Sequence, residues 1–196
     1  MSTQTAPTRT VQGRDFPAPG TWAIDPAHSQ VQFAARHMMI SKVRGRFRDF
    51  SGTVHVGQTP EESWVEATIR AGSIDTGDEG RDRHLRSPDF LDIERYPEIT
   101  YRSTSIRPGK GQRWLMEGDL TIRDVTRAVT LDFEFCGTAT DPWDNLRAGY
   151  MAEGEIDRED FAVSWNQALE AGGFLVGRGV RIEVDVETVL TSPPDG

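Results

Sequence analysis

The chain of 196 residues has one cysteine, Cys136, so no disulfide can staple it internally. Histidine is scarce as well: the four at positions 28, 37, 55 and 84 lie too far apart for the ligand spacing of a zinc site, and no metal or other cofactor is expected. Positive charge is not in excess. The formal net charge of -9 excludes a general nucleic-acid binder, which needs clustered Lys and Arg against phosphates, so any anion site has to be local. Nowhere is there an apolar run of the roughly 18 residues that a membrane helix needs. The first 18 residues, MSTQTAPTRTVQGRDFPA, hold no apolar core of a secretory signal, and a cytoplasmic location is expected. The G-x-S-x-G and H-E-x-x-H motifs are missing, as is any Cys-His arrangement, and so are internal repeats. "GGFLVGRG" lacks the strand-then-helix setting and the Lys-Ser/Thr ending that let a glycine loop cradle phosphate. These absences leave one domain, 19–191, long enough to bury its own core, flanked by tails at 1–18 and 192–196 that read as disordered.

What is present is alternation. In "VRIEVDVETV" the apolar Val180, Ile182, Val184 and Val186 alternate with Arg181, Glu183, Asp185 and Glu187, the mark of a half-buried strand. The same period runs through Val31, Phe33 and Ala35; Val65, Ala67, Ile69 and Ala71; Leu131, Phe133 and Phe135; and more weakly Trp114, Met116, Leu120 and Ile122. Turn signals such as Asp25-Pro26, Thr59-Pro60, Pro108-Gly109, Asp141-Pro142 and Gly172-Gly173 separate about eight strands at the spacing of an antiparallel sandwich or barrel. Several strands exceed ten residues, which suits a closed barrel, and Gly177 and Gly179 inside the last one mark a bend where the sheet curls.

One segment breaks the pattern. "GRDRHLRSPDFLDIERYP", residues 80–97, holds clustered charge, two prolines and an apolar triplet. Thr76 followed by Glu79 reads as a capping box, with a short helix through Arg86 in which Arg81 and Arg86 pair with Asp78 and Asp82. Ser87-Pro88 restarts a turn, and Phe90, Leu91 and Ile93 form an apolar hook across a barrel mouth. A second short helix is expected near 157–161. Asp82 and His84 stand two apart, about 200° around a helix, so they cannot act together as a catalytic pair.

The ordered series "TWAIDPAHSQVQF", "GRFRDFSG", "SIDTGDEGRDRHLRSPDFLD", "YPEI", "GDLTIRDVTRAVTL" and "DREDFAVSW" resembles the YceI-like polyisoprenoid-binding proteins over roughly residues 20–190. The resemblance implies an all-β, extended, lipocalin-like eight-stranded antiparallel β-barrel holding an isoprenoid or other long amphiphile, with no catalysis. Asp124, Ala128 and Ala162 depart from the family's usual residues, at turns; Asp124 takes a place where a left-handed backbone is expected.

On that reading Phe33, His37, Phe47, Val65, Ile69, Leu85, Phe90, Leu91, Tyr101, Met116, Leu131, Phe133 and Val184 line the cavity. Lys42, Arg44, Arg46 and Arg48 fall at every second position and share one strand face, a cationic stripe that either pairs with acids on a neighbouring strand or docks an anion. Arg44, Arg46, Arg81 and His84 are the head-group or anion candidates. The expected partner is a long-chain isoprenoid or fatty lipid, with peripheral contact to an anionic membrane and a homodimer as further expectations. Two other classes stay open: a solid-barrel interaction or stress-response protein, and an enzyme acting on a hydrophobic substrate, for which no motif speaks.

Overall fold

A computed structural model describes residues 8–170 and 172–192. The alternating segments are strands: β1 Thr8–Val11, β2 Arg14–Pro17, β3 Gly20–Ile24, β4 Gln30–His37, β5 Ser41–Phe47, β6 Phe50–Val56, β7 Trp64–Arg70, β8 Ile74–Asp75, β9 Glu98–Pro108, β10 Trp114–Ile122, β11 Val125–Thr140, β12 Leu146–Asp157 and β13 Val176–Ser192. One α-helix, α1, spans Glu79–Arg86, and Arg158–Phe161 forms a 3-10 turn.

The strands pair in the ring β12-β11-β10-β9-β7-β6-β3-β13, and β13 closes it on β12. That is an eight-stranded antiparallel barrel in up-and-down order, which leaves no open sheet edge in the ring. Three of the staves are bent. β3 runs on into β4, β5 into β6 and β7 into β8, and the members outside the ring, β4, β5 and β8, extend the wall by pairing in the order β13-β4-β5-β8.

The motif "DPAHS" builds the first of these bends. Asp25 caps the turn Pro26–His28 by accepting from the Ala27 N–H at 3.0 Å, and Ser29 Oγ donates to the Asp25 carbonyl at 2.7 Å. Asp25 N–H bonds the Glu187 carbonyl at 2.9 Å and Glu187 N–H bonds Ser29 Oγ at 3.0 Å, so the bend is stitched to β13. Arg147 on β12 then bridges Asp25 at 2.7 Å, Glu187 at 2.6 Å and Asp141 at 2.8 Å. The Gly177-Gly179 bend also has a geometric meaning. Val176 pairs with His37 but Val180 with Ala35, so β13 carries two surplus residues there and curls inward.

The two ends of the barrel differ. At one, Phe16, Trp22, Val56, Ile106, Trp114, Phe133 and Ala148 pack into a solid apolar plug. At the other, Ala71, Phe90, Ile99, Leu120, Phe161 and Val163 form a second cluster beneath α1 and the segment that follows it.

The plug corrects the expected disorder of the N-terminal segment over residues 8–18. Residues 8–17 form the β1–β2 hairpin, with a tight turn at Gln12 and Gly13, both at positive φ. Phe16 and Pro17 are fully buried, and the Phe16 ring lies 5.0 Å from that of Trp114. Arg9 holds the hairpin to the carbonyls of Gly57 and Gln58, and Arg14 to those of Gly109 and Arg113. A polar, proline-bearing stretch orders here because one aromatic and two arginines find fixed partners. Ser192 likewise belongs to β13, paired with Thr21, while residues 1–7 and 193–196 lie outside the described residues.

Three local expectations are also corrected. α1 is capped by Asp78, whose carboxylate accepts from the Arg81 N–H at 2.7 Å; the Thr76 hydroxyl and N–H instead bond the buried Asp82 at 2.6 and 2.9 Å. Arg81 and Arg86 do not pair with Asp78 and Asp82: Arg86 donates to the Gly72 and Ile74 carbonyls at 2.8 and 2.7 Å, and Arg81 to the hydroxyl and carbonyl of Thr76. At the β10–β11 turn it is Arg123, at φ 58, and not Asp124 that adopts the left-handed conformation.

Candidate functional site: the barrel cavity

Between plug and lid the barrel encloses a cavity of about 310 Å³, within the size range of small-molecule sites. Its wall is almost wholly apolar and runs from Phe16 and Val56 at the plug to Leu85, Phe90 and Leu91 at the lid. Strand alternation explains the wall: on β13 Val180, Ile182, Val184 and Val186 face in, while Arg181 pairs outside with Glu153 at 2.5 Å and with Glu183 at 2.9 Å.

Phe33, Phe47, Val65, Ile69, Leu85, Phe90, Leu91, Tyr101, Met116, Leu131, Phe133 and Val184 lie in the wall of the cavity. His37 is the exception. It lies on the inward face of β4 but pairs with Ser41 at the hairpin end, beyond the wall of the cavity. Sequence reading passed over Phe16, Tyr150, Phe161, Val163 and Arg158. Tyr150 was available from the period Tyr150, Ala152 and Ile156 on β12; Phe161 and Val163 follow a 3-10 turn whose path no periodicity reveals.

The lid is a packed aromatic group. Phe90 lies 5.3 Å from Trp165 and 5.0 Å from His84, and His84 stands edge-on to Trp165 at 4.6 Å. His84 Nε2 meets Asp89 Oδ2 at 2.9 Å at the surface. Arg123 fastens the neighbouring turn by donating to the Ala162 carbonyl at 2.9 Å, with its guanidinium over the Tyr96 ring.

None of the four head-group candidates lines the cavity. Arg46 pairs with Asp75 at 3.2 Å, as does Arg48 at 2.6 Å; Arg44 and Lys42 point outward with no ion pair among the described residues. Hydrogen bonding from the Gly77 N–H, Arg48 and Arg46 holds the Asp75 carboxyl below its usual range. Arg81 is bound to Thr76 and His84 to Asp89.

The polar residues of the lining are Gln32, His55, Ser63, Tyr101, Tyr150 and Arg158. Arg158 is buried, and its guanidinium donates to the carbonyls of Gly177, Val163, Trp165 and Val176, pinning the 3-10 turn to the curled start of β13. Burial pushes its pKa below the usual arginine value. The phenol oxygens of Tyr101 and Tyr150 are buried in the wall with no hydrogen-bond partner. Desolvation raises both phenol pKa values, and the neighbouring Thr188 hydroxyl opposes the shift at Tyr150. Neither is poised to ionise, so no general base faces the cavity from these two positions. Asp25, His28 and Glu187 have the geometry of a metal cluster, but the Arg147 guanidinium already sits between the two carboxylates.

A closed up-and-down β-barrel around an apolar cavity defines the architecture shared with the lipocalins. Within it, the chain belongs to the YceI-like domain family, whose profile matches residues 22–188. The chain is 37% identical over 169 residues to the UPF0312 protein SA2479 of Staphylococcus aureus strain N315, covering 85% of this chain and 95% of that protein. Among solved structures, Burkholderia cenocepacia BcnA superposes with a TM-score of 0.73 at 23% identity over 84% of this chain and 98% of that one. A polyisoprenoid binding domain from Saccharophagus degradans gives 0.61 at 14% identity, covering 86% of this chain and 98% of that one.

Proposed function

We propose that the barrel binds, stores or transports a long-chain isoprenoid or similar amphiphile, with its apolar chain in the cavity and without chemistry on it. The observation that carries this reading is the cavity itself: about 310 Å³ of space walled by aliphatic and aromatic side chains, where a solid barrel would have filled its interior. Each methylene buried there contributes about 0.8 kcal/mol, so ten contribute roughly 8 kcal/mol before the cost of ordering the chain. The likeness to a polyisoprenoid binding domain supports the same class of cargo. The unpartnered hydroxyls of Tyr101 and Tyr150 favour a cargo bearing an oxygen, because a buried donor left unmatched costs about 1 to 3 kcal/mol.

The test is native mass spectrometry of the purified protein followed by organic extraction, together with uptake of a fluorescent prenyl or acyl probe. Carriage predicts a retained lipid mass or saturable uptake at one site per chain. Apo mass alone, with no uptake of either probe, refutes it.

A further inference from the structure

We propose that the β4–β5 hairpin is a docking arm that seats the lid end of the barrel on an anionic lipid bilayer. The hairpin ends in Met38, Met39 and Ile40, which are 39, 61 and 83% exposed. Beside it stands Phe174, 60% exposed, on the loop whose next residue, Leu175, accepts from the Met38 N–H at 2.8 Å. Four large apolar side chains are therefore exposed at the hairpin tip and on the loop hydrogen-bonded to it.

Charge accompanies them. Between Asp25 and Asp49 the chain has no carboxylate, yet it carries Arg36, Lys42, Arg44, Arg46 and Arg48, in a protein of net charge -9. Elsewhere on the barrel exterior arginines meet acids across strands, as Arg102 with Glu66 and Arg107 with Glu117. Arg36, Lys42 and Arg44 meet none among the described residues. Arg36 and Lys42 are cross-strand partners two residues behind the tip, about 7 Å at the rise of a strand. Interfacial segments bury their apolar residues roughly 5–10 Å deep, which puts these cations at headgroup level when the tip is inserted.

The turn is also built against local preference. Met38 and Met39 both take positive φ, 51 and 64, a conformation for which Asn-Gly is the favoured pair. The β1–β2 turn meets the same demand with Gly13 in its second place. Methionine at both positions sacrifices stability for an apolar tip. The opposite end supplies a contrast: Trp143, 78% exposed, is flanked by Asp141 and Asp144, so charge alone selects the lid end for a negative surface. An acidic protein partner fits the cations but leaves the protruding apolar tip without a cavity to enter; a bilayer accommodates both. The purpose of docking rests on carriage, since it sets the lid against the phase that holds apolar chains, whereas the docking itself is measurable without cargo.

The experiment is co-sedimentation of the full chain with phosphatidylcholine vesicles containing or lacking 40% phosphatidylserine, beside probe uptake in vesicle-free solution. Wild type should bind the anionic vesicles, weaken steeply with salt, and ignore the neutral ones. Removing three cations in the variant Arg36→Gln, Lys42→Gln, Arg44→Gln should weaken binding on the order of a hundredfold, at about fivefold for each. Met38→Asn with Met39→Gly should raise the melting temperature and yet reduce vesicle binding, a pair of opposite shifts that misfolding does not produce. Trp143→Ala should bind as wild type. No binding to anionic vesicles at low salt, equal binding to neutral ones, an unweakened cation variant, or a tip that instead forms a concentration-dependent dimer overturns docking. Probe uptake reports on carriage separately, so each reading can fail without the other.

Discussion

Replacing Phe90 by alanine removes the centre of the lid. The side chain is 6% exposed, packs on His84 and Trp165, and turns its remaining face to the cavity. A fully enclosed Phe→Ala change costs about 3 to 5 kcal/mol. Because one face of Phe90 already borders open space, the low end applies, about 3 kcal/mol. In a chain of this length each kcal/mol moves the melting temperature by about 2–4 °C, so a fall of roughly 6–12 °C is expected by differential scanning fluorimetry. The same ring stands between cavity and solvent. If it contributes about 1.4 kcal/mol to the barrier, release of a fluorescent prenyl probe quickens about tenfold in a stopped-flow chase. His84→Ala is the matched control. It gives up a surface pair with Asp89, about 1 kcal/mol or less, and its edge-on contacts with Phe90 and Trp165, so melting should fall and release quicken by less than in Phe90→Ala. An unchanged melting temperature and release rate in Phe90→Ala, with an activity abolished in His84→Ala, would refute the lid and restore a catalytic histidine.

The plug predicts that Phe16→Ala costs about 3 kcal/mol and that deleting residues 1–17 costs more, by chemical denaturation; an unaltered midpoint would return this segment to a loose tail. Ala162 ends the 3-10 turn at φ 58, so Ala162→Gly should stabilise by about 0.5 to 1 kcal/mol, read as a rise of roughly 1–4 °C in melting temperature. Arg147, and after it His28, holds the Asp25 carboxyl down to about 2. A folded pKa below the unfolded one contributes stability at neutral pH that is lost as pH falls from about 4 towards 2. Melting curves across that window should therefore fall less steeply in Arg147→Gln than in wild type, and parallel acid limbs would count against the network.

Period-two alternation was enough to read about eight antiparallel strands, because burying one face of a strand leaves its mark on every second residue, while the choice of barrel over sandwich came from the resemblance to the YceI-like family. Val184 on β13, Phe133 on β11 and Ile69 on β7 could be placed in the wall by parity alone, and Leu85, Phe90 and Leu91 as the apolar residues that interrupt a charged segment. Parity fails where the chain leaves the sheet. Phe16 sits in a segment whose composition reads as a tail, and its burial depends on Trp114, roughly a hundred residues away. Thr76 and Glu79 satisfy the spacing of a capping box, but buried Asp82 holds the threonine and Asp78 takes the cap. The stripe on β5 was visible as one face, yet which of its cations are neutralised was decided by where β8 brings Asp75: beside Arg46 and Arg48, and out of reach of Lys42 and Arg44. Local pattern thus determined which side chains face in, since that depends only on neighbours in the chain. The open cavity, the plug, the lid's aromatic contacts and the unpaired cations arise from residues far apart in sequence, whose meeting is set by the closure of β13 on β12 and by packing volumes that no local period encodes.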